Sequence, residues 1–228
     1  MKSKISFFIL IFSVLLISCS SSEKKARDRL EQSGTSYSET NFYEAVTKGE
    51  TEVVNLFLAA GMSPNVRIND RSVLVEASRM GHTEIALALI DTGADIDNQD
   101  SYGVSPLMFA AISGSAEIMA KLMECHADVN VKDQDGRTAL IEVLTTENDL
   151  PIDIIKSLCE AGADVNVRIQ NGLTPLMLAA DGNSDILRLL LQAGADVNAR
   201  DDYGASVLKR AKYDHENTQI LIEAGAKE

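Results

Sequence analysis

Gly162-Ala163-Asp164-Val165-Asn166 returns as Gly194-Ala195-Asp196-Val197-Asn198, and earlier forms stand at Gly93-Ala94-Asp95-Ile96-Asp97 and His126-Ala127-Asp128-Val129-Asn130. Degenerate copies begin at Gly61 and Gly225, so the steps between successive starts are 32, 33, 36, 32 and 31 residues. A second landmark keeps the same beat: Ser72-Val73-Leu74, Ser105-Pro106-Leu107, Thr138-Ala139-Leu140, Thr174-Pro175-Leu176 and Ser206-Val207-Leu208. Two landmarks sharing one period mark a repeat architecture, in which a unit buries its apolar face only against its neighbours.

Each unit reads as turn, helix, turn, helix. Ser or Thr opens the first helix as an N-cap, accepting a hydrogen bond from a backbone N–H that has no partner inside the helix. Pro106 and Pro175 then occupy the first helical position, where a missing N–H costs nothing. The small pairs Ala110-Ala111 and Ala179-Ala180 allow first helices to approach closely. A second helix such as 116–124 carries Ile118, Leu122 and Met123 at helical spacing, and Gly162 or Gly194 closes it in the left-handed conformation.

These motifs resemble the ankyrin repeat over residues 38–228. The best copies, 100–132 and 169–200, hold both the opening Gly-x-Ser/Thr-Pro-Leu and the closing Ala-Asp-Val-Asn. Six units follow, at about 35–66, 67–99, 100–132, 133–168, 169–200 and 201–228. The resemblance implies an all-α ankyrin-repeat solenoid of helix-turn-helix units with hairpin-like loops, and a protein-binding role. Units one and six read as end caps. The family's usual His after the landmark Leu is replaced by Val75, Met108, Ile141, Met177 and Lys209, which predicts a looser set of loop contacts. His126 stands where Gly is expected, a conformational cost for a residue with a Cβ. Unit four carries an insertion at 145–151.

The N-terminus carries an address. Lys2 and Lys4 precede an uncharged run at 5–17, thirteen residues long and so about 20 Å as a helix, short of a roughly 30 Å bilayer core. It reads as the apolar part of a secretory signal. Leu16-Ile17-Ser18-Cys19 resembles the bacterial lipoprotein cleavage signal. That resemblance implies a signal peptide at 1–18, lipidation (palmitate among the acyl groups) of Cys19, and a membrane anchor in the bacterial envelope. Ser20 after the Cys points to the outer rather than the inner membrane, with the domain periplasmic or surface-facing. Residues 19–37 hold few apolar groups and read as the lipidated Cys and a flexible tether, with a marginal helix at 23–32.

Chemistry is sparse. With 34 Asp and Glu against 21 Lys and Arg the formal charge is −13, which disfavours a nucleic-acid backbone as partner. The chain has no Trp, and three of its six Phe lie in the first twelve residues, so an aromatic-lined cofactor cavity is not expected. Most Asp fall at fixed repeat positions, as Asp100, Asp133, Asp201 and Asp95, Asp128, Asp164, Asp196 do, and so belong to turns. No phosphate loop, nucleophile elbow or zinc signature occurs. The expectation is no enzyme activity, no cofactor, no metal and no small-molecule substrate. His82 reads as structural. Cys125 and Cys159 read as two buried small apolar side chains rather than a disulfide.

What remains is a recognition surface. The ankyrin resemblance places partner contacts at hairpin tips and the inner helix face. On that basis Tyr102, Arg137, Leu173 and Tyr203 are the candidate protein-binding residues, Tyr and Arg being the types that most often dominate interfaces. The acidic body suits a neutral or basic protein partner. Two readings follow: a tethered interaction module (a scaffold, or an inhibitor or neutraliser of a toxin or enzyme), and a structural or surface-display lipoprotein with no dedicated partner.

Overall fold

The computed structural model of the chain describes residues 21–146 and 152–227. The stretch 1–18 read as a signal peptide, Cys19 and most of the 145–151 insertion lie outside the described residues. The chain divides into two compact bodies, one through Asp95 and one from Ile96 onward.

The first body holds helix α1 at 21–32, then α2 (Glu39–Lys48), α3 (Thr51–Ala59), α4 (Val73–Met80) and α5 (Thr83–Asp91). Between α3 and α4 runs a short antiparallel pair, β1 (Arg67–Ile68) and β2 (Arg71–Ser72). Its two-residue turn, Asn69-Asp70, sits at φ 51° and 61°. Both central residues are therefore left-handed, as the turn that matches strand twist demands, and Asn and Asp tolerate this best after Gly. The first helices pack as α2 on α4 and the second helices as α3 on α5.

Helix α1 corrects the tether expectation for residues 21–37. Ala26 and Leu30 are buried, and the Arg27 guanidinium donates to the Ala60 carbonyl at 3.2 and 3.3 Å. Arg27 also lies 4.3 Å from the centre of the Tyr37 ring, which stacks on Phe57. The stretch is poor in apolar groups, but two at helical spacing and one aromatic suffice once repeat one offers a surface. The cap of the first repeat is thus α1, not the repeat itself.

The second body holds α6 (Pro106–Ile112), α7 (Ala116–Glu124), α8 (Ala139–Thr145), α9 (Ile152–Glu160), α10 (Pro175–Ala179), α11 (Ser184–Gln192), α12 (Val207–Arg210) and α13 (His215–Glu223). One row of packing runs α6, α8, α10, α12, and a second runs α9, α11, α13. Between the rows lies the core, with Leu107, Leu140, Leu176, Ile118, Ile155, Leu158 and Ile186 buried. Ser72, Ser105, Thr174 and Ser206 accept from the backbone N–H three residues on, as expected of N-caps. Thr138 makes no such side-chain bond.

Successive repeats are tied by asparagine. Asn130 donates from Nδ2 to the Gly162 carbonyl at 3.1 Å and accepts at Oδ1 from the Asp164 N–H at 2.7 Å. Asn166 repeats this with Gly194 (3.1 Å) and Asp196 (2.7 Å), and Asn198 with Gly225 (3.4 Å) and Lys227 (2.9 Å). Within the first body Asn65 makes the same pair to Gly93 and Asp95. Asp97, which has no amide to donate, accepts from the Asp128 N–H at 2.9 Å. These bonds tie successive closing turns, while at the positions of the expected His the buried Val75, Met108, Ile141 and Met177 extend the apolar core.

His126 does occupy the glycine position, at φ 67°, where Gly93, Gly162, Gly194 and Gly225 lie between 90° and 93°. Replacing His126→Gly is expected to raise unfolding free energy by about 0.5–1 kcal/mol, read by urea denaturation. Asn166→Ala removes a donor and an acceptor at once and is expected to cost about 1–2 kcal/mol. Equal stability of that variant and the parent would show that the link is ornamental.

Candidate functional site: the hairpin row

The loops opening the repeats of the second body are built on carboxylates turned inward. Asp100 Oδ1 accepts from the N–H groups of Tyr102 (2.9 Å) and Val104 (3.0 Å). Asp133 does the same for Asp135 (2.9 Å) and Arg137 (2.8 Å), and Asp201 for Tyr203 (3.0 Å) and Ala205 (2.8 Å). A side chain that bonds its own loop two and four residues on fixes the turn without help from a strand partner. Asp201 is also bonded by Arg210, and that hydrogen bond, followed by the one from the Ala205 N–H, holds its carboxyl below the usual range. In the 169–173 loop Ile169 takes the Asp position, and Asn171 at φ 64° makes the turn.

Neighbouring loops are then bonded to each other. The Gln134 N–H donates to the Tyr102 carbonyl at 3.0 Å and its Nε2 to the Ser101 carbonyl at 2.7 Å. The Asp202 N–H donates to the Asn171 carbonyl at 3.0 Å, and Arg168 spans to the Arg200 carbonyl (2.9 Å) and to Asp202 (3.0 Å). Gly103 is required here: a Cβ at that position would lie 2.9 Å from the Asp133 Cα.

On this frame Tyr102 is 65% exposed and Tyr203 80% exposed. Tyr102 stands beside the 133–137 loop through the Gln134 bond, and Tyr203 Oη donates to Asn171 Oδ1 at 3.3 Å. Arg137 and Leu173 share the position just before the N-cap rather than the tip. Arg137 is partly turned inward, 3.3 Å from Glu142 Oε1, and Leu173 is half-buried rather than exposed as expected. The two tyrosines are therefore the outward elements, and Arg137 and Leu173 form the shoulder beneath them.

Other side chains depart from expectation or escaped the reading. Cys125 is exposed and free, not buried, because it lies at the end of α7 outside the core face. Cys159 is half-buried and free, its thiol pushed up by burial and then by Glu160. His82 has a structural contact, with Nε2 3.3 Å from the Thr47 carbonyl.

In the first body Glu76 is buried and bonded by Arg71 (3.2 Å) and by two nitrogens of Arg79 (2.6 and 3.2 Å). Burial pushes its carboxyl up, and the bonds and charge of Arg79, then those of Arg71, outweigh this and leave it low. Burial and the Glu76 charge raise the nearby Tyr43 hydroxyl. The spacing Arg71/Glu76, repeated as Arg137/Glu142, was the signal for this pair. Among the described residues no group of His, Cys, Asp or Glu is placed to hold a metal ion, and no helix is long and apolar enough to cross a membrane.

The family described as "Ankyrin repeats (3 copies)" matches in overlapping windows at 13–100, 42–133, 74–169, 107–201 and 144–227. The chain belongs to the ankyrin-repeat family. An ankyrin repeat-containing protein of Treponema pallidum (strain Nichols) is 37% identical over 121 residues, 52% of this chain and 41% of that protein. An ankyrin repeat-containing protein of Schizosaccharomyces pombe is 30% identical over 113 residues, covering 49% of this chain and 53% of that one. The human transient receptor potential cation channel subfamily A member 1 is 44% identical over 69 residues, 30% of this chain and 6% of the channel. The chain thus spans 41%, 53% and 6% of these three relatives. Ankyrin repeats point to protein partners, and the all-α fold is the one this family uses.

The charge on Glu76 gives a pH dependence. Its lowered pKa contributes stability that is complete above the unfolded-state value, about 4.3, and is lost as pH falls through the folded-state value below it. Glu76→Gln is expected to cost about 1–3 kcal/mol at pH 7 and to flatten the fall of melting temperature between pH 5 and 2. Parallel curves for variant and parent would remove Glu76 from the acid response.

Proposed function

We propose that the protein is a membrane-anchored envelope lipoprotein whose ankyrin repeats bind a partner protein, without catalysis of its own. The observation that carries the binding half is the pair of outward tyrosines, Tyr102 and Tyr203, each on a loop bonded to its neighbour. Aromatic side chains on a preorganised frame gain contact area at little ordering cost. Arg137 and Leu173 supply the charge and the apolar shoulder of the same face. Exposed carboxylates such as Asp135 favour a neutral or basic partner. An inhibitor or neutraliser of a toxin or enzyme is the sharper form of this reading.

The anchoring half rests on Leu16-Ile17-Ser18-Cys19 and the apolar run before it. Cleavage there would remove Lys2 and Lys4 and leave the exported domain still more acidic. Outer-membrane retention follows from Ser20.

Crosslinking of the tagged chain in native envelopes, read by mass spectrometry, tests the binding half. One dominant protein is expected with the parent and its loss with the Tyr102/Arg137/Leu173/Tyr203 to Ala variant; the same captures from both would leave a display role ahead. Cys19→Ser is expected to abolish labelling by radioactive palmitate and move the protein to the soluble fraction. Continued membrane retention would end the lipoprotein reading.

A further inference from the structure

The last repeat breaks the pattern of its predecessors at matching positions. Where earlier repeats bury Met108, Ile141 and Met177, it exposes Lys209; where they bury Ala111 and Ala180, it exposes Lys212. The position of buried Leu107, Leu140 and Leu176 becomes half-buried Leu208, and Ile222 on α13 is 51% exposed. Together these side chains line a groove of about 600 Å³, with Arg200 on its rim.

The charge of this groove is opposite to that of the chain. Its lining holds Arg200, Lys209 and Lys212 and no carboxylate. Of the acids that flank these residues in the chain, Asp201 pairs with Arg210 and Asp202 with Arg168, Asp214 accepts from the Asn217 N–H and Glu223 from Gln219. Lys209 and Lys212 make no ion pair among the described residues. Arg200 is steadied by donating to the Gly204 carbonyl at 3.0 Å, and Lys212 Nζ lies 4.5 Å from the centre of the exposed Tyr213 ring. An exposed repeat face needs polar groups for solubility, but charges of either sign would serve. Cations alone around an apolar floor, in a chain of charge −13, are more than solvation requires. Screening over about 8 Å at physiological salt makes this local patch, not the net charge, what a ligand at the groove feels.

We propose that this groove docks an acidic segment of a partner protein. One large apolar side chain sits against Leu208 and Ile222, and flanking carboxylates meet Arg200, Lys209 and Lys212. The volume suits an anchor side chain with a few residues of backbone. This surface shares the 200–206 loop with Tyr203 of the hairpin row, lies on the helices behind it and takes the opposite charge.

Fluorescence anisotropy tests it with the full chain and a labelled twelve-residue peptide, six Glu and Asp around a central Leu-Phe pair. The probe is expected to bind the parent, and more weakly as salt rises. Binding is expected to fall about tenfold for Lys209→Glu/Lys212→Glu, and comparably for Ile222→Asp, with circular dichroism showing both variants folded. A Tyr102/Arg137/Leu173 to Ala variant, which leaves the 200–206 loop intact, is expected to bind the probe as the parent does, which distinguishes this groove from the rest of the hairpin row. Unchanged binding by both groove variants overturns the proposal. So does no binding by the parent at millimolar chain, or recruitment of the parent to phosphatidylcholine–phosphatidylglycerol vesicles with none to the peptide.

Discussion

A side-chain amide bonded at both ends to the closing turn of the next repeat is the contact on which the rest of each body depends. A helix ends with carbonyls that have no partner inside it, and the turn that follows exposes N–H groups as well. Asn130, Asn166 and Asn198 meet one of each, a carbonyl through Nδ2 and an N–H through Oδ1. Asn places a separate NH2 donor and carbonyl acceptor on one short planar group, so both bonds form at once in fixed directions. Asp97 keeps the acceptor alone. The bond sets the spacing of one repeat on the next, and that spacing brings Leu107, Leu140 and Leu176 into one apolar row. Burial supplies most of the stabilisation, and the amides decide its register.

Carboxylates serve the turns in the same local way. Asp128, Asp164 and Asp196 accept from the N–H two residues on, within the closing turns. Asp100, Asp133 and Asp201 do so twice each within the opening loops. Those carboxylates are spent on turns, and bonding them inward is what aims Tyr102 and Tyr203 outward. The recognition face is therefore a by-product of how the loops are made rigid.

The two ends of the chain's repeats are finished differently. At the first repeat, α1 covers the apolar edge, with Leu30 buried and Tyr37, Phe57 and Phe42 in contact through their rings. At the last repeat of the sequence, lysines replace the buried side chains of earlier repeats. A packed face needs complementary apolar side chains, whereas a face lined with lysines is suited to solvent or to a charged ligand. Buried Asn217 ties the last repeat to the one before it by donating to the Ala180 and Gly182 carbonyls, at a position held by Ile85, Ile118 and Ile186 elsewhere.

The sequence by itself determined the repeat period, the helix pairs, the N-caps at Ser105 and Thr174, and the glycine-type turns, including the strained one at His126. Each is a local property, fixed by how one residue type bonds or rotates within a few positions of itself. The exposure of Tyr102 and Tyr203 was legible too, because a turn tip has no neighbour to cover it. Only the tertiary structure decided that 21–32 is a docked helix, since its two apolar residues gain nothing until repeat one meets them. It also decided that Leu173 is half-covered, that Cys125 faces solvent, and that Asn ties successive closing turns. The basic groove at Leu208 and Ile222 belongs to the same class. These features depend on partners about thirty residues away or on which face a repeat leaves uncovered, and no local pattern carries that information.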